Sequence, residues 1–378
     1  MLRLLRRLIK DFRFSLLPVP GRVIALVFFI FLSTFPLITR NPYYMDMMIY
    51  AAIFTIFAVS WDLLSGYTGL VNFGHALFFG VAAYTSALLC TYLHWPMAAT
   101  MIVGVLAGVA AGVITCFPAL KLRGPYLSLL TLAFPLMLLG VIMFFRNFTG
   151  AEYGLPNLPR LATTQVEQYY ICFAVMTVSV LIMWKFTDAG SRYIRTGLIF
   201  HAIREDEIAA RATGINTIRY KLLAFVIGGF FAAVAGVLYA HVRALVSPTA
   251  TLGITLSFEA IIWVIFGGVV SIYGAVAGVY TLFPLVYLSN DIQSLFEYFL
   301  EKIPKGSMAP LVSILDFLRL VSSRPILILS VVVILVLLFM PEGVAVWIRD
   351  KIERECPRCK LTNVAWRREC RACGASLH

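Results

Sequence analysis

Four cysteines near the C-terminal end of the sequence are spaced for metal chemistry. Cys356-Pro357-Arg358-Cys359 and Cys370-Arg371-Ala372-Cys373 form a CxxC…CxxC pattern. Each turn presents two thiolates to one point. Two such turns complete a tetrahedral four-sulfur shell for Zn2+ at about 2.3 Å per bond. Pro357 and Gly374 suit the tight knuckles this needs. The segment carries too little apolar surface to fold by burial, so the metal would be structural. Disulfide pairing is the competing use of the same thiols. Cys90, Cys116 and Cys172 are scattered through apolar runs and read as small core residues.

A second group pairs polar side chains with glycines inside otherwise apolar sequence. Asp62 precedes Ser65-Gly66-Tyr67-Thr68-Gly69-Leu70-Val71-Asn72-Phe73-Gly74-His75-Ala76. Glycines at 66, 69 and 74 permit broken or re-entrant backbone. At membrane depth such backbone is tolerated only where protein buries it or where it lines a cavity. Asn72 and His75 are costly in hydrocarbon and are functional candidates for that reason. With Tyr67, Thr68 and Gly74 they make a candidate substrate path. Exposed backbone groups at a helix break offer donors to a carboxylate and acceptors to an ammonium. The alternative is that Asn72 and His75 are satisfied between helices, with the glycines serving close packing.

The elements that position these residues follow from composition. Of 378 residues, 61% are apolar and only 13% charged, with a mean hydropathy of +0.88. Soluble domains run nearer 45–50% apolar and about 25% charged, so a soluble enzyme is excluded. Apolar runs lie at 23–39, 43–64, 70–93, 96–118, 125–145, 169–186, 222–243, 257–290 and 324–340. The run 257–290 exceeds the roughly 25 residues of one tilted helix. Gly267, Gly268, Gly274 and Gly278 permit a reversal within it, and splitting it gives about ten spans. The expected fold is an all-α polytopic membrane protein over 23–348, with a basic amphipathic segment at 1–22 and a metal-binding tail at 349–378.

Charge supports the even count. Segments 1–22, 121–123, 185–221 and 341–378, with Asp62, hold 23 of the 31 Lys+Arg and 11 of the 19 Asp+Glu. The whole net charge of +12 therefore falls on one side, which the positive-inside rule makes cytoplasmic. Both termini are expected there, and a reducing compartment favours zinc over disulfides. The alternating Arg3, Arg6, Arg7, Lys10 and Arg13 read as a helix on anionic lipid. Net charge placed by topology makes nucleic acid an unneeded partner, although the basic tail can touch phosphate.

The longest cytoplasmic loop, 187–221, carries the third set. The run 198–213 is rich in helix formers, and Gly214 is placed to end the helix in the left-handed conformation. Ala202, Ile208, Ala209 and Ala212 share a face, which Glu205 interrupts, away from Arg204, Asp206, Glu207 and Arg211. A stiff helix across the end of a bundle, continued into a span through Arg219-Tyr220-Lys221, suits docking of a soluble partner and transmission of its motion. No lysine follows a glycine, so a phosphate-binding P-loop is absent and no nucleotide site is expected on this chain.

Glu207-x-Ala209-Ala210-x-x-x-Gly214 resembles the "EAA…G" loop by which ABC importer permeases engage their ATPases. Arg204-Glu205-Asp206-Glu207-Ile208-Ala209-Ala210 with Gly214-Ile215-Asn216 is similar to the version in branched-chain amino acid permeases. Gly66-Tyr67-Thr68-Gly69 with Gly74-His75-Ala76, Leu122-Arg123-Gly124-Pro125-Tyr126, Thr149-Gly150 with Gly154-Leu155, Tyr220-Lys221-Leu222-Leu223-Ala224-Phe225, Gly267-Gly268 with Gly274, and Pro341-Glu342-Gly343 agree, in order, over about 40–345. The resemblance is to the M-type subunit. It implies a prokaryotic inner-membrane importer of branched-chain amino acids with a second homologous permease, two ATP-binding subunits and an external binding protein. In that scheme Arg204, Glu207, Ala209, Ala210 and Gly214 couple to the ATPase. Loops 146–168 and 291–323 would face the binding protein.

The cysteine tail departs from that family, which normally ends near the Pro-Glu-Gly segment. It resembles a zinc ribbon, and Cys359-x3-Asn363-x6-Cys370 also matches the small finger of Ran-binding nucleoporins, although Arg354 stands where that finger has Trp. Two other readings stay open. The same machinery could carry urea, short amides or other amino acids. An ion-coupled secondary transporter would need more buried ionisable groups than the spans hold.

Overall fold

A computed structural model describes residues 20–119, 125–188, 195–302, 325–356, 362–370, 373, 374 and 376. The basic segment through residue 19, Leu122-Arg123-Gly124, Ser191-Arg192-Tyr193, the loop from 303 and Cys359 lie outside the described residues. The chain is mostly helical, as apolar runs of this length require: in hydrocarbon each backbone N–H and C=O must be satisfied within its own segment. The helices are α1 (Pro20–Ile38), α2 (Pro42–Trp61), α3 (Ala76–Leu93), α4 (Met97–Ala119), α5 (Pro125–Phe144), α6 (Gln165–Thr187), α7 (Thr196–Glu205), α8 (Glu207–Ala212), α9 (Thr217–Arg243), α10 (Ile254–Gly267), α11 (Ile272–Lys302), α12 (Pro325–Phe339) and α13 (Val344–Ile352). Their starts are set by local chemistry. Asn41 accepts a hydrogen bond from the Tyr43 N–H ahead of α2, with Pro42 at its first position. Thr164 and Glu167 form a capping box at the start of α6.

Among the described residues, seven helices are long and apolar enough to cross a membrane, rather than the expected ten. The pair α10 and α11, bent by 110°, makes an eighth if it is one span. The difference lies at the bent pair, whose 14-residue α10 is shorter than the roughly 20 residues of a full crossing, and at α1, a 19-residue helix with its apolar stretch at Val23–Ile38. The break in the long run does fall at its glycines, where a Cβ on Gly267 would meet the Gly274 carbonyl oxygen. α11 continues to Lys302, into the stretch expected to be loop. Two antiparallel strand pairs depart from a purely helical fold: β1 (Leu155–Pro156) with β2 (Leu245–Val246), and β3 (Glu353–Glu355) with β4 (Thr362–Val364). The expected boundary at 348 falls inside α13, so the tail separates structurally at Glu353.

α2 is the centre of the bundle and packs against α6, α9 and α11. Lipid is as apolar as leucine, so association rests on close packing of small residues rather than on hydrophobic burial. α4 supplies such a stripe. A Cβ on Gly104 would come within 2.7 Å of the Ala82 carbonyl oxygen, and one on Gly108 within 2.8 Å of that of Phe78. An aromatic cluster of Phe54, Phe79, Tyr239, Trp263 and Phe283 fills the middle of the bundle, with ring centroids 5.3 to 6.5 Å apart.

Candidate functional site

The loop expected as one helix over 198–213 is two. Asp206 takes an extended conformation and ends α7; its carboxylate then accepts hydrogen bonds from the Ile208 and Ala209 N–H groups and caps α8. An aspartate inside a run of helix formers competes with the helix for backbone donors, and here it wins. Gly214 closes α8 at φ +88°, its N–H on the Arg211 carbonyl and that of Ile215 on Ala210. Phe200 and Ile203 of α7 are buried against the bundle. Ile208, Ala209 and Ala212 face outward, Ile208 at 73% exposure, whereas Ala202 is partly covered and Ala210 is buried.

Glu207 turns towards the bundle. Its carboxylate bridges Arg211 at 2.5 Å, Lys221 at 2.8 Å and the Thr217 hydroxyl at 3.2 Å, fastening α8 to the first turns of α9. Burial works to raise the Glu207 pKa, but the bonds and charges of Lys221 and Arg211 outweigh it and hold the carboxyl below its ordinary range. Arg204 is exposed beside Gly69. Burial first, then the Arg204 charge, lowers the pKa of His201, whose ring meets that of Tyr67 edge-on at 5.4 Å.

The segment 62–75 is irregular and buried, and side chains from three helices satisfy it. Asp62–Gly66 is a π-helical turn. The Asn72 N–H donates to the Ser65 hydroxyl (3.2 Å), Trp61 Nε1 donates to the Asn72 carbonyl (2.7 Å), and Asn72 Oδ1 accepts from the Gly74 N–H (2.8 Å). Thr131 of α5 accepts from the Phe73 N–H, Ser128 donates to the Val71 carbonyl, and Ser257 of α10 accepts from the Ala76 N–H. A narrow, partly open cleft lies here among Asn72, Gly74, Phe78, Thr115, Thr131 and Phe225. Of the path candidates, Asn72 and Gly74 line the cleft. Tyr67 lies against α7, and the Thr68 hydroxyl donates back to the Leu64 carbonyl. His75 is fully buried, with Nε2 2.8 Å from the Ser60 hydroxyl and its ring on Phe57. Asp62, Ser128, Thr131 and Ser257 were not among the path candidates. Only Asp62, a lone carboxylate between apolar runs, carried a sequence signal.

The sequence matches a known family. Residues 43–340 match the family described as "Branched-chain amino acid transport system / permease component". The chain belongs to this family. It is similar to the high-affinity branched-chain amino acid transport system permease protein LivM of Escherichia coli, 29% identical over 54% of this chain and 53% of the relative. It is similar also to the E. coli permease protein LivH, 27% identical over 60% of this chain and 78% of that protein. A probable LivM of Methanocaldococcus jannaschii is 23% identical over 62% and 77%. The chain spans about half the length of the LivM relatives it matches first. No solved structure matches it. Seven apolar helices and membership of a membrane permease family make it a multi-pass inner-membrane protein.

The permease's cysteine tail lies beyond the matched residues. β3 and β4 pair from Glu353–Val364 to Glu355–Thr362 and bring Cys356 beside the second cysteine turn. The Cys356, Cys370 and Cys373 sulfurs lie within 4.8 Å of one another, Cys356 and Cys373 at 3.5 Å. Sulfurs about 2.3 Å from one tetrahedral ion stand roughly 3.8 Å apart, so the cluster fits a metal. Asn363 Nδ2 points at the Cys370 sulfur, as a donor to a thiolate does. Gly374 takes φ +67° and donates to the Cys370 carbonyl, closing the second knuckle.

Proposed function

We propose that this chain is the transmembrane permease subunit of an ATP-driven importer of branched-chain amino acids. The observation that carries the reading is the Glu207 clamp. A short helix with an outward apolar face is fixed to α9, a 27-residue helix about 40 Å long that runs through the bundle, by bonds from Glu207 to Lys221 and Thr217 and from Arg211 to Thr217. A partner pressing on Ile208, Ala209 and Ala212 therefore moves α9 as a rigid rod. The partner is an ATPase, one of two, and ATP is hydrolysed there and not on this chain. Arg204, Glu207, Ala209, Ala210 and Gly214 make the coupling segment, with Glu207 and Ala210 holding it to the bundle. A second, related permease completes the pore, and an external binding protein delivers the cargo.

The cleft is lined by aromatic and aliphatic groups with a few amide and hydroxyl groups, which suits an apolar side chain carried on a polar backbone. Asn72 and Gly74 lie on the path, and Tyr67, Thr68 and His75 support it. The tail holds one structural Zn2+ on Cys356, Cys359, Cys370 and Cys373. The test is uptake of labelled leucine into proteoliposomes holding this chain with its partner permease, ATPases and binding protein. ATP-dependent uptake, competed by isoleucine and valine but not by urea, is the expected result. Uptake by this chain alone on an ion gradient would refute the reading.

A further inference from the structure

Asp62 takes no part in the coupling or the cleft described so far, yet it is fully buried, and no cation among the described residues stands within ion-pairing distance. Its two oxygens accept from the backbone N–H groups of Val270 (2.8 Å) and Ser271 (3.0 Å), more than 200 residues further along the chain. Those residues form the turn between α10 and α11. The turn is in a costly conformation: Gly268 has φ +120° and Val270 φ +62°. A β-branched residue in the left-handed region is an outlier that persists only where its surroundings impose it. Asp62 itself opens a π-helical turn, another rare geometry that concentrates at functional sites. A π turn, an unpaired buried carboxylate and a strained valine thus meet at one contact.

That contact joins everything that must move. Arg204 of α7 lies over Gly69. Tyr67, one turn beyond Asp62, meets His201 of α7. Ser65 and Trp61 hold Asn72 at the cleft from the same turn. On the far side, Gly343 and Val346 pack on Gly268.

We propose that Asp62 is the latch of a gate at the end of the bundle that bears α7. With its carboxylate seated on the Val270 and Ser271 amides, the strained turn is locked to the π turn and the cleft stays narrow. Displacement of α7 withdraws the carboxylate, the turn relaxes, and Asn72 shifts with the π turn. Asp62 is a positioning residue that acts through the turn and touches no cargo. The proposal rests on the reading of α7 and α8 as the lever of an ATP-driven importer.

Two variants separate a latch from a merely structural cap. Asp62→Asn keeps the shape but leaves one oxygen for two amides. Val270→Gly removes the strain and keeps the N–H. In the reconstituted complex, Asp62→Asn should raise the ATP hydrolysed per solute carried several-fold, by letting the gate open without cargo. Val270→Gly should leave that ratio at or below the native value and slow turnover, because the relaxed turn no longer favours release. A shift of both variants in one direction, or of neither, overturns the proposal. Amide hydrogen exchange on the purified chain in lipid nanodiscs needs no ATPase. The Val270 and Ser271 amides should exchange about tenfold or more faster in Asp62→Asn than in the native chain, and equal rates overturn the latch. A native complex without ATP-driven uptake would refute the importer reading, and the amide rates would then decide the latch by themselves.

Discussion

Replacing Glu207 by Gln tests the clamp that makes α8 a lever. At 2.8 Å and an effective dielectric near 20, the Glu207–Lys221 attraction is about 6 kcal/mol in gross terms. Most of that offsets the desolvation of Lys221, which is 8% exposed. Net stabilisation from a charged hydrogen bond of this kind is about 1.5–3 kcal/mol. Taking about 2 kcal/mol, the population of α8 detached from α9 rises roughly 30-fold in Glu207→Gln. The assay is amide exchange at Ala210, Thr213 and Ile215, whose N–H groups bond within the segment. Arg211→Gln, which also loses the Nε–H bond to the Thr217 hydroxyl (2.9 Å), is the milder comparison. Arg211 sits at a 44% exposed surface position, where an ion pair contributes about 0–1 kcal/mol. The double variant Glu207→Gln, Lys221→Met should exchange more slowly than Glu207→Gln, because no buried charge is left unpaired. The pH dependence follows from the lowered Glu207 pKa. The clamp is fully present above the ordinary carboxylate value near 4.5 and is lost as pH falls through the lower folded-state value. Unchanged exchange in Glu207→Gln would refute the clamp.

Three further outcomes follow from the geometry. Gly214→Ala meets no neighbour but must hold φ +88°, at a cost of about 1 kcal/mol, and should reduce uptake partly. Gly214→Pro, whose ring fixes φ near −65°, should leave ATP hydrolysis running with little uptake, read from the two rates in one preparation. Cys370→Ser should drop bound zinc from about one per chain to none by elemental analysis, with loss of amide protection along β3 and β4. Thr131→Val orphans the part-buried Phe73 N–H at a cost of about 1 kcal/mol and should raise the KM for uptake more than it lowers the maximal rate.

What the sequence made legible depended on how local the cause was. Gly214 as a helix stop, the break among Gly267, Gly268 and Gly274, and the convergence of three of the four tail cysteines all follow from chemistry within a few residues of the feature. The helix break at Asp206 was equally local and was missed, because its flanks favour a helix and the cap competes with them. The path was harder. Ser257 reaches Ala76 across 181 residues, and Asp62 reaches Val270 across 208. No periodicity within one run encodes such a pairing. Glu207 was marked for contact with a partner, but its carboxylate bonds inward to Lys221, because a buried lysine at the base of α9 requires a counter-charge. The count of about ten spans rests on apolar length and charge parity, and neither distinguishes a full crossing from a broken one.

The polar contacts outline two bodies, joined directly where the Ala76 N–H of α3 bonds the Ser257 hydroxyl of α10. At the end opposite α8, His241 Nδ1–H donates to the Pro159 carbonyl (2.8 Å). Its Nε2 accepts from the Ser86 hydroxyl (2.9 Å), whose oxygen lies 3.1 Å from that of Thr100. The Leu158 N–H meets the Ala244 carbonyl, and β1 pairs with β2. These bonds tie α3, α4, α9 and the 155–161 loop into one unit, and Glu207 adds α8 to its far end. The second unit is α10, α11 and α13, held through the packing of Gly343 on Gly268 and the bond from Arg349 to the Tyr273 hydroxyl. α2 packs against both. At its α7-bearing end, α2 holds the second unit through the Asp62 contact with the Val270 and Ser271 amides, and the Ala76–Ser257 bond holds it from α3. Under the proposed coupling, a push on α8 would pass along α9 to the opposite loop, and the second unit would follow through these contacts, with the cleft beside them.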